Sequence, residues 1–134
     1  MQRRLVAVIA AVALGCVQPK LDNERPPATK PSESDVVGTW KLISITENGQ
    51  LHPVSEAFYL RLYPDGTAAT WPTPVAPVTH GLYKVENGQL SLPDASQSDP
   101  GQVRCTHDKL WFWNKNGECL YYRVEPDLEP GKTR

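Results

Sequence analysis

Four short turn signals constrain the fold of this chain more than any other feature of its sequence. They are Glu47-Asn48-Gly49-Gln50, Tyr63-Pro64-Asp65-Gly66-Thr67, Glu86-Asn87-Gly88-Gln89 and Asn114-Lys115-Asn116-Gly117-Glu118. Asn-Gly and Asp-Gly pairs favour the positive φ angles that the tight turns of β-hairpins require. Four such signals in one short stretch of chain predict a series of antiparallel hairpins.

The segments between these turns have the residue types and lengths of strands. Between Asp35 and Glu125, no window combines the i, i+3, i+4, i+7 spacing of apolar residues with the caps that a helix needs. We predict eight to nine short strands at Gly38–Thr46, Gln50–His52, Phe58–Tyr63, Thr67–Trp71, Thr79–Val85, Gln89–Leu92, Gln102–Thr106, Lys109–Asn114 and Glu118–Glu125. An open sheet of this size would leave two edges and one apolar face uncovered. We therefore predict an all-β fold, a small antiparallel up-and-down barrel.

Alternation along the strands predicts which side chains face the barrel interior. If Lys115-Asn116-Gly117 is a three-residue loop, Phe112 lies opposite Leu120 and Leu110 lies opposite Tyr122. On this register, the inward side chains that could contact a ligand are Trp40, Leu60, Leu62, Phe112 and Tyr122. A barrel this small could also be filled by these side chains, and its function would then lie at the rim or the outer face.

The same register predicts an outward group of aromatic side chains. Its members are Trp111, Trp113, Tyr121 and Arg123. Exposed aromatic rings beside an arginine are typical of protein interfaces, and also of surfaces on which sugars stack. We name these four residues the predicted interaction patch. A loop or the N-terminal segment could instead cover them.

The N-terminus has the pattern of a secretory signal peptide, predicted over residues 1–15. Two arginines precede Leu5–Leu14, an apolar run of ten residues. That run is too short for a transmembrane helix, which needs about 20 residues. Arg3 and Arg4 are two of the 14 basic residues, so their removal leaves 12 against 15 acidic residues and a net charge of -3. Such a chain has no basic face for nucleic acid.

The end of this segment, Ala13-Leu14-Gly15-Cys16, resembles the lipobox of bacterial lipoproteins. The resemblance implies that Cys16 carries a thioether-linked diacylglycerol and an acylated amine, with acyl chains such as palmitate. Three acyl chains would hold the protein on the membrane almost permanently. Val17 follows the cysteine, which by resemblance to enterobacterial lipoproteins implies the outer membrane, with the domain facing the periplasm. Cleavage by the ordinary signal peptidase remains the alternative.

Two flanking segments are predicted to be unstructured. Residues 16–34 contain four prolines, mixed charges and few large aliphatic side chains, and residues 127–134 have the same character. Such segments cannot bury enough apolar surface to offset the entropy of ordering them. We predict a disordered tether over 16–34, a barrel domain over 35–126 and a flexible tail over 127–134.

The first strand opens with Val37-Gly38-Thr39-Trp40-Lys41-Leu42, and the last strand contains Leu-Tyr-Tyr-Arg-Val at 120–124. The Gly-x-Trp motif followed by hairpins resembles the bacterial lipocalin-like domains of the calycin superfamily. The resemblance covers about Asp35 to Pro126. It implies that Trp40 plugs the narrow end of the barrel and that a monomeric domain binds a small apolar molecule. The alternative is a protein-interaction module, such as a periplasmic inhibitor or an envelope assembly factor, that uses the predicted interaction patch.

Neither the cysteines nor the histidines form a recognisable catalytic or metal-binding motif. An oxidising compartment favours a disulfide between Cys105 and Cys119. In a flat hairpin, however, these two residues lie beyond the Cα separation of about 7 Å that a disulfide allows. Either the strand before Thr106 folds back, or the register differs, or the thiols are free. The histidines are far apart, at His52, His80 and His107. We therefore predict no enzyme activity, no metal and no cofactor.

Overall fold

The computed structural model of the chain describes residues 25–72, 77–92 and 100–132. Cys16 and the predicted signal peptide lie outside these residues. The described part contains one short helix, α1 (Glu33–Val36), and ten strands: β1 (Gly38–Glu47), β2 (Gln50–Pro53), β3 (Phe58–Leu62), β4 (Thr67–Pro72), β5 (Thr79–Leu82), β6 (Lys84–Glu86), β7 (Gln89–Ser91), β8 (Gly101–Cys105), β9 (Lys109–Asn114) and β10 (Gly117–Val124). Within it, no helix is long and apolar enough to cross a membrane.

The strands form one antiparallel sheet that is nearly closed on itself. Nine of them are hydrogen-bonded in the order β5-β4-β3-β1-β10-β9-β8-β7-β6, and β2 pairs with β1. The first and last strands pair over Thr39–Thr46 and Glu118–Val124. The two edge strands, β5 and β6, are consecutive in the chain and are separated only by Tyr83. The predicted fold class, a small up-and-down barrel, is confirmed.

The N-terminal segment closes one end of the barrel. Val36 of α1 is fully buried, and its carbonyl accepts a hydrogen bond of 2.9 Å from Nε1 of Trp40. The guanidinium of Arg123 lies 4.2 Å from the centre of the Trp40 ring and donates to the carbonyl of Val37 at 2.9 Å. Trp40 is therefore 0% exposed. This end is named the closed end, and the end where β1 finishes and β10 begins is named the open end; the segments 73–76 and 93–99, which join strands at that end, lie outside the described residues.

The folded unit extends beyond the predicted domain on both sides. Pro31 is buried, and Nζ of Lys30 donates to the side chain of Asn87 at 3.2 Å. Leu128 is 5% exposed and packs against the outer wall of the barrel in a cluster with Tyr59, Ala69 and Trp71. Residues 127–132 therefore do not form the flexible tail that we predicted, because an apolar pocket on β3 and β4 receives their one large aliphatic side chain.

The register of β9 and β10 differs from the prediction by one residue. Cys119 lies opposite Phe112, and Tyr121 lies opposite Leu110. The loop has two residues instead of three, because Gly117 already pairs with Asn114. A shift of one residue moves every side chain of a strand to the other face. Tyr121 therefore faces the interior, whereas Leu120 and Tyr122 face outward.

Candidate functional site

The interior is tightly filled towards the closed end. Its buried cluster consists of Val36, Trp40, Leu42, Leu60, Leu62, Ala68, Tyr83, Leu90, Val103, Leu110 and Tyr121. Three of the side chains predicted to contact a ligand belong to it, and each of these (Trp40, Leu60 and Leu62) is at most 1% exposed. They form the packed base of the barrel, so a ligand that enters from the other end would contact the residues there before it reached them.

Towards the open end, the interior is lined by apolar side chains that are only half-buried. They pack on the buried cluster and include Ile45, Val54, Phe58, Leu92, Phe112 and Cys119. Three of them form a row across adjacent strands, because Cys119 pairs with Ile45 of β1 and with Phe112 of β9. Apolar surface that folding leaves partly in water can be covered by a ligand. We name this group the apolar rim, and Phe112 is its one member among the predicted ligand contacts.

A buried tyrosine, Tyr121, lies two positions along β10 from Cys119 of the apolar rim. Tyr121 is 8% exposed, and no other described residue forms a hydrogen bond with its hydroxyl. Burial raises the pKa of Tyr121 well above its usual value, and the adjacent Cys119 adds to the increase. An unsatisfied buried hydroxyl costs about 1–3 kcal/mol. The hydroxyl is therefore suited to bind a polar atom of a ligand. The sequence prediction missed Tyr121 because it placed Tyr122 at this position.

The two cysteines are free thiols, and the predicted disulfide is wrong. Cys105 pairs with Leu110 on one side of β9, and Cys119 pairs with Phe112 on the other side. Two strand spacings of about 4.8 Å, together with the offset along β9, exceed the Cα separation of about 7 Å that a disulfide allows. Burial raises the pKa of both thiols, that of Cys119 to about 11, with smaller contributions from nearby carboxylates.

These thiols are expected to react slowly with alkylating reagents at neutral pH, because the reactive thiolate is scarce. The unfolded Cys119 thiol ionises near 9.0 and the folded one near 11. Since the unfolded state loses its proton first, stability should fall as the pH rises through this interval. Peptide mass mapping after pulse alkylation tests the first expectation. Urea unfolding at several pH values, with Cys119→Ala as the control, tests the second. A peptide linked by a disulfide would contradict the assignment.

The predicted interaction patch is not an exposed group. Trp111 is 2% exposed on the outer wall, and Tyr121 lies in the interior because of the register. Arg123 is half-buried at the closed end, where its guanidinium lies over the Trp40 ring. Of the four predicted residues, Trp113 alone remains half-buried on the outer wall, with the Arg104 guanidinium 5.6 Å from its ring centre.

Two other predicted features have structural surroundings of their own. Tyr122, predicted to contact a ligand, faces outward with the Lys109 ammonium 5.8 Å from its ring centre. His107 lies at the surface, 3.2 Å from a carboxylate oxygen of Glu125. Among the residues that the structure describes, no group of three or more His, Cys, Asp or Glu side chains could hold a metal ion.

Comparison with known proteins gave no match: no family model matches the chain, and neither the curated proteins nor the solved structures include a significant relative. The fold defines the class, a small antiparallel up-and-down barrel with one closed end. Its function is inferred from the geometry of the interior and of the rim.

Proposed function

We propose that this protein is a binding protein whose barrel holds a small, largely apolar ligand at its open end. The supporting observation is that half-buried apolar side chains surround an interior whose buried Tyr121 hydroxyl has no partner among the described residues. Trp40, Val36 and Arg123 close the opposite end. The ligand would therefore enter past Phe112 and Ile45 and place one polar atom near Tyr121.

The charges around the site favour a ligand with a neutral polar group. The carboxylates of Glu118 and Glu47 are close enough to raise the pKa of the Cys119 thiol. They would also repel a negatively charged head group, and a buried carboxylate without a partner is costly. The hydroxyl of Tyr121 can donate to, or accept from, a neutral alcohol, amide or ester. The proposed ligand is a neutral amphipathic molecule.

Displacement of a neutral fluorescent dye, N-phenyl-1-naphthylamine, tests this proposal. We expect saturable dye binding, and we expect hexadecanol to displace the dye at about tenfold lower concentration than palmitate. Tyr121→Phe should weaken hexadecanol binding about fivefold, because one net hydrogen bond contributes about 1 kcal/mol. The same variant should unfold at an equal or higher temperature, since it removes a buried hydroxyl that has no hydrogen-bond partner among the described residues.

Tyr122→Phe is the matched control, because it makes the same change on the outward face of the same strand. It should leave the displacement curve unchanged. If no apolar probe binds, the proposed function is wrong. If Tyr121→Phe and Tyr122→Phe change hexadecanol binding equally, the apolar site stands, but Tyr121 does not hydrogen-bond the ligand.

We also propose that the protein is a lipoprotein of the bacterial outer membrane that faces the periplasm, as the sequence pattern ending at Cys16 implies. Lipid attachment would bring the barrel close to a source of amphipathic molecules. In cells supplied with radiolabelled palmitate, the full chain should become labelled and sediment with membranes. Cys16→Ser should abolish both properties. Retention of the label in that variant would overturn the proposal.

A further inference from the structure

A second candidate site lies outside the barrel, at the rim of the open end. It is an open groove of ≈ 460 Å³ between the turn that joins β1 to β2 and the turn that joins β9 to β10. Pro26 of the N-terminal segment contributes to its wall. This volume lies within the range of about 300–1,000 Å³ that is typical of small-molecule sites. None of its lining side chains belongs to the apolar rim or to the buried cluster.

The groove has one aromatic wall, the indole of Trp113. This ring is half-buried on the outer face of β9, in contrast to the buried rings of Trp40, Trp71 and Trp111. The Arg104 guanidinium lies over one face of the ring, 5.6 Å from its centre, in a cation–π contact, so a ligand in the groove would use the part of the ring that lines it. A flat aromatic ring beside water is suited to stack against the C–H face of a pyranose ring.

The remaining walls carry hydrogen-bonding groups from the two turns. Asn48 and Asn116 are exposed and present amide groups that can both donate and accept. The half-buried Glu118, which pairs with Trp113 across the hairpin, supplies a carboxylate acceptor. Vicinal sugar hydroxyls are donors and acceptors at once, so amides and a carboxylate beside an aromatic ring are complementary to them.

The two turns fix the backbone that carries these groups. Asn48 and Gly49 have φ angles of 52° and 77°, as a tight Asn-Gly hairpin turn requires. The backbone N–H of Asn116 donates to the side-chain oxygen of Asn114 at 2.8 Å. At Gly117, an added Cβ would lie 2.5 Å from the carbonyl oxygen of Thr46, so the hairpin packs directly on β1. A rigid site loses little entropy when it binds a ligand.

The charge of the groove argues against an anionic ligand. Its ionisable side chains are one lysine, Lys115, and one glutamate, Glu118, so no excess of positive charge is available for a phosphate or for nucleic acid. We propose that this groove binds a neutral saccharide, stacked on Trp113 and hydrogen-bonded by Asn48, Asn116 and Glu118. The proposal is independent of the apolar ligand in the barrel.

Titration of the full chain with cellotetraose, chitotetraose and maltotetraose tests this proposal, with tryptophan fluorescence as the signal. We expect at least one of them to cause a saturable change, because Trp113 is the half-buried tryptophan. Trp113→Ala should abolish the change and the heat of binding measured by calorimetry. Displacement of N-phenyl-1-naphthylamine from the barrel should be unaffected in this variant.

A pair of asparagine variants keeps the test valid if Trp113→Ala does not fold. Asn48 and Asn87 both begin an Asn-Gly turn, with φ angles of 52° and 54°. Aspartate tolerates this conformation, so Asn48→Asp and Asn87→Asp should strain the backbone to the same small extent. Only Asn48→Asp changes the groove, and it should weaken binding at least tenfold. Absence of binding by all three saccharides, or unchanged binding in both Asn48→Asp and Trp113→Ala, would overturn the proposal. Binding of an unstructured peptide in place of any saccharide would also overturn it.

Discussion

Replacing Trp40 with alanine should lower the free energy of unfolding by about 3–5 kcal/mol, which is the usual cost of truncating a large aromatic side chain in a core. Trp40 is 0% exposed, and its indole donates a hydrogen bond to Val36. The variant would leave a cavity at the closed end and would remove the aromatic surface on which the Arg123 guanidinium lies. A domain of this size is stabilised by about 5–15 kcal/mol in total, so the loss would be a large fraction.

Urea unfolding measures this loss as a shift in the midpoint at constant m value. Trp113→Ala is the matched control, since it removes the same side chain from a half-buried position on the outer wall. We expect the control to lose about 1 kcal/mol, mostly from its contact with Arg104. Equal losses in the two variants would contradict the assignment of Trp40 as the side chain that fills the closed end.

Leu128→Ala should lower the free energy of unfolding by about 2–3 kcal/mol, although the residue belongs to a proline-rich terminal segment. Leu128 is 5% exposed and packs with the stacked pair Tyr59 and Trp71, whose ring centres are 5.5 Å apart. Its carbonyl accepts a hydrogen bond of 2.8 Å from Arg61. Loss of the side chain would weaken the whole contact between this segment and the outer wall.

The melting temperature should fall by about 10 °C or more, because each kcal/mol shifts a domain of this size by about 4–8 °C. Leu82→Ala is the matched control, since Leu82 is 63% exposed. Substitutions at such exposed positions usually change stability by about 0.5 kcal/mol or less. A Leu128→Ala variant as stable as this control would show that the C-terminal segment does not contribute to the fold.

The turn signals predicted the barrel and most of its strands, although the strand predicted over Thr79–Val85 is divided at Tyr83 into β5 and β6. Asn48 and Asn87 both have the positive φ angles that the Asn-Gly pairs predicted. A few adjacent residues determine a turn of this kind, so it can be predicted from the sequence directly. The need to bury one face of many short strands then favours closure of the sheet.

The candidate sites were predicted less well, because they depend on register. The hairpin between β9 and β10 has a two-residue loop, and this difference of one residue moved Tyr121 inside and Tyr122 outside. Each residue of the Asn-Lys-Asn-Gly sequence is compatible with either loop length. In the structure, Gly117 packs against the backbone of Thr46, so the hairpin makes contacts with a segment that is distant in sequence.

The packing of the terminal segments could not be predicted either, because it also depends on contacts between residues that are distant in sequence. Their composition predicts that neither segment folds alone, but Pro31 and Leu128 are buried in the folded protein. Thr39 shows this coupling, since its hydroxyl donates to Asp127 at 2.8 Å across 88 positions of the chain. Composition describes the segment itself and contains no information about the surface that receives it.

By itself, the sequence determined the all-β class, the positions of the turns and the closure of the strands into a barrel. Local backbone preferences and the alternation of apolar residues act within a few positions, and they leave a clear pattern. The tertiary structure decided which end of the barrel is closed, which tyrosine faces the interior and where the groove beside Trp113 forms. These outcomes depend on contacts between residues far apart in the chain, whose free energies are settled only when all the strands pack together.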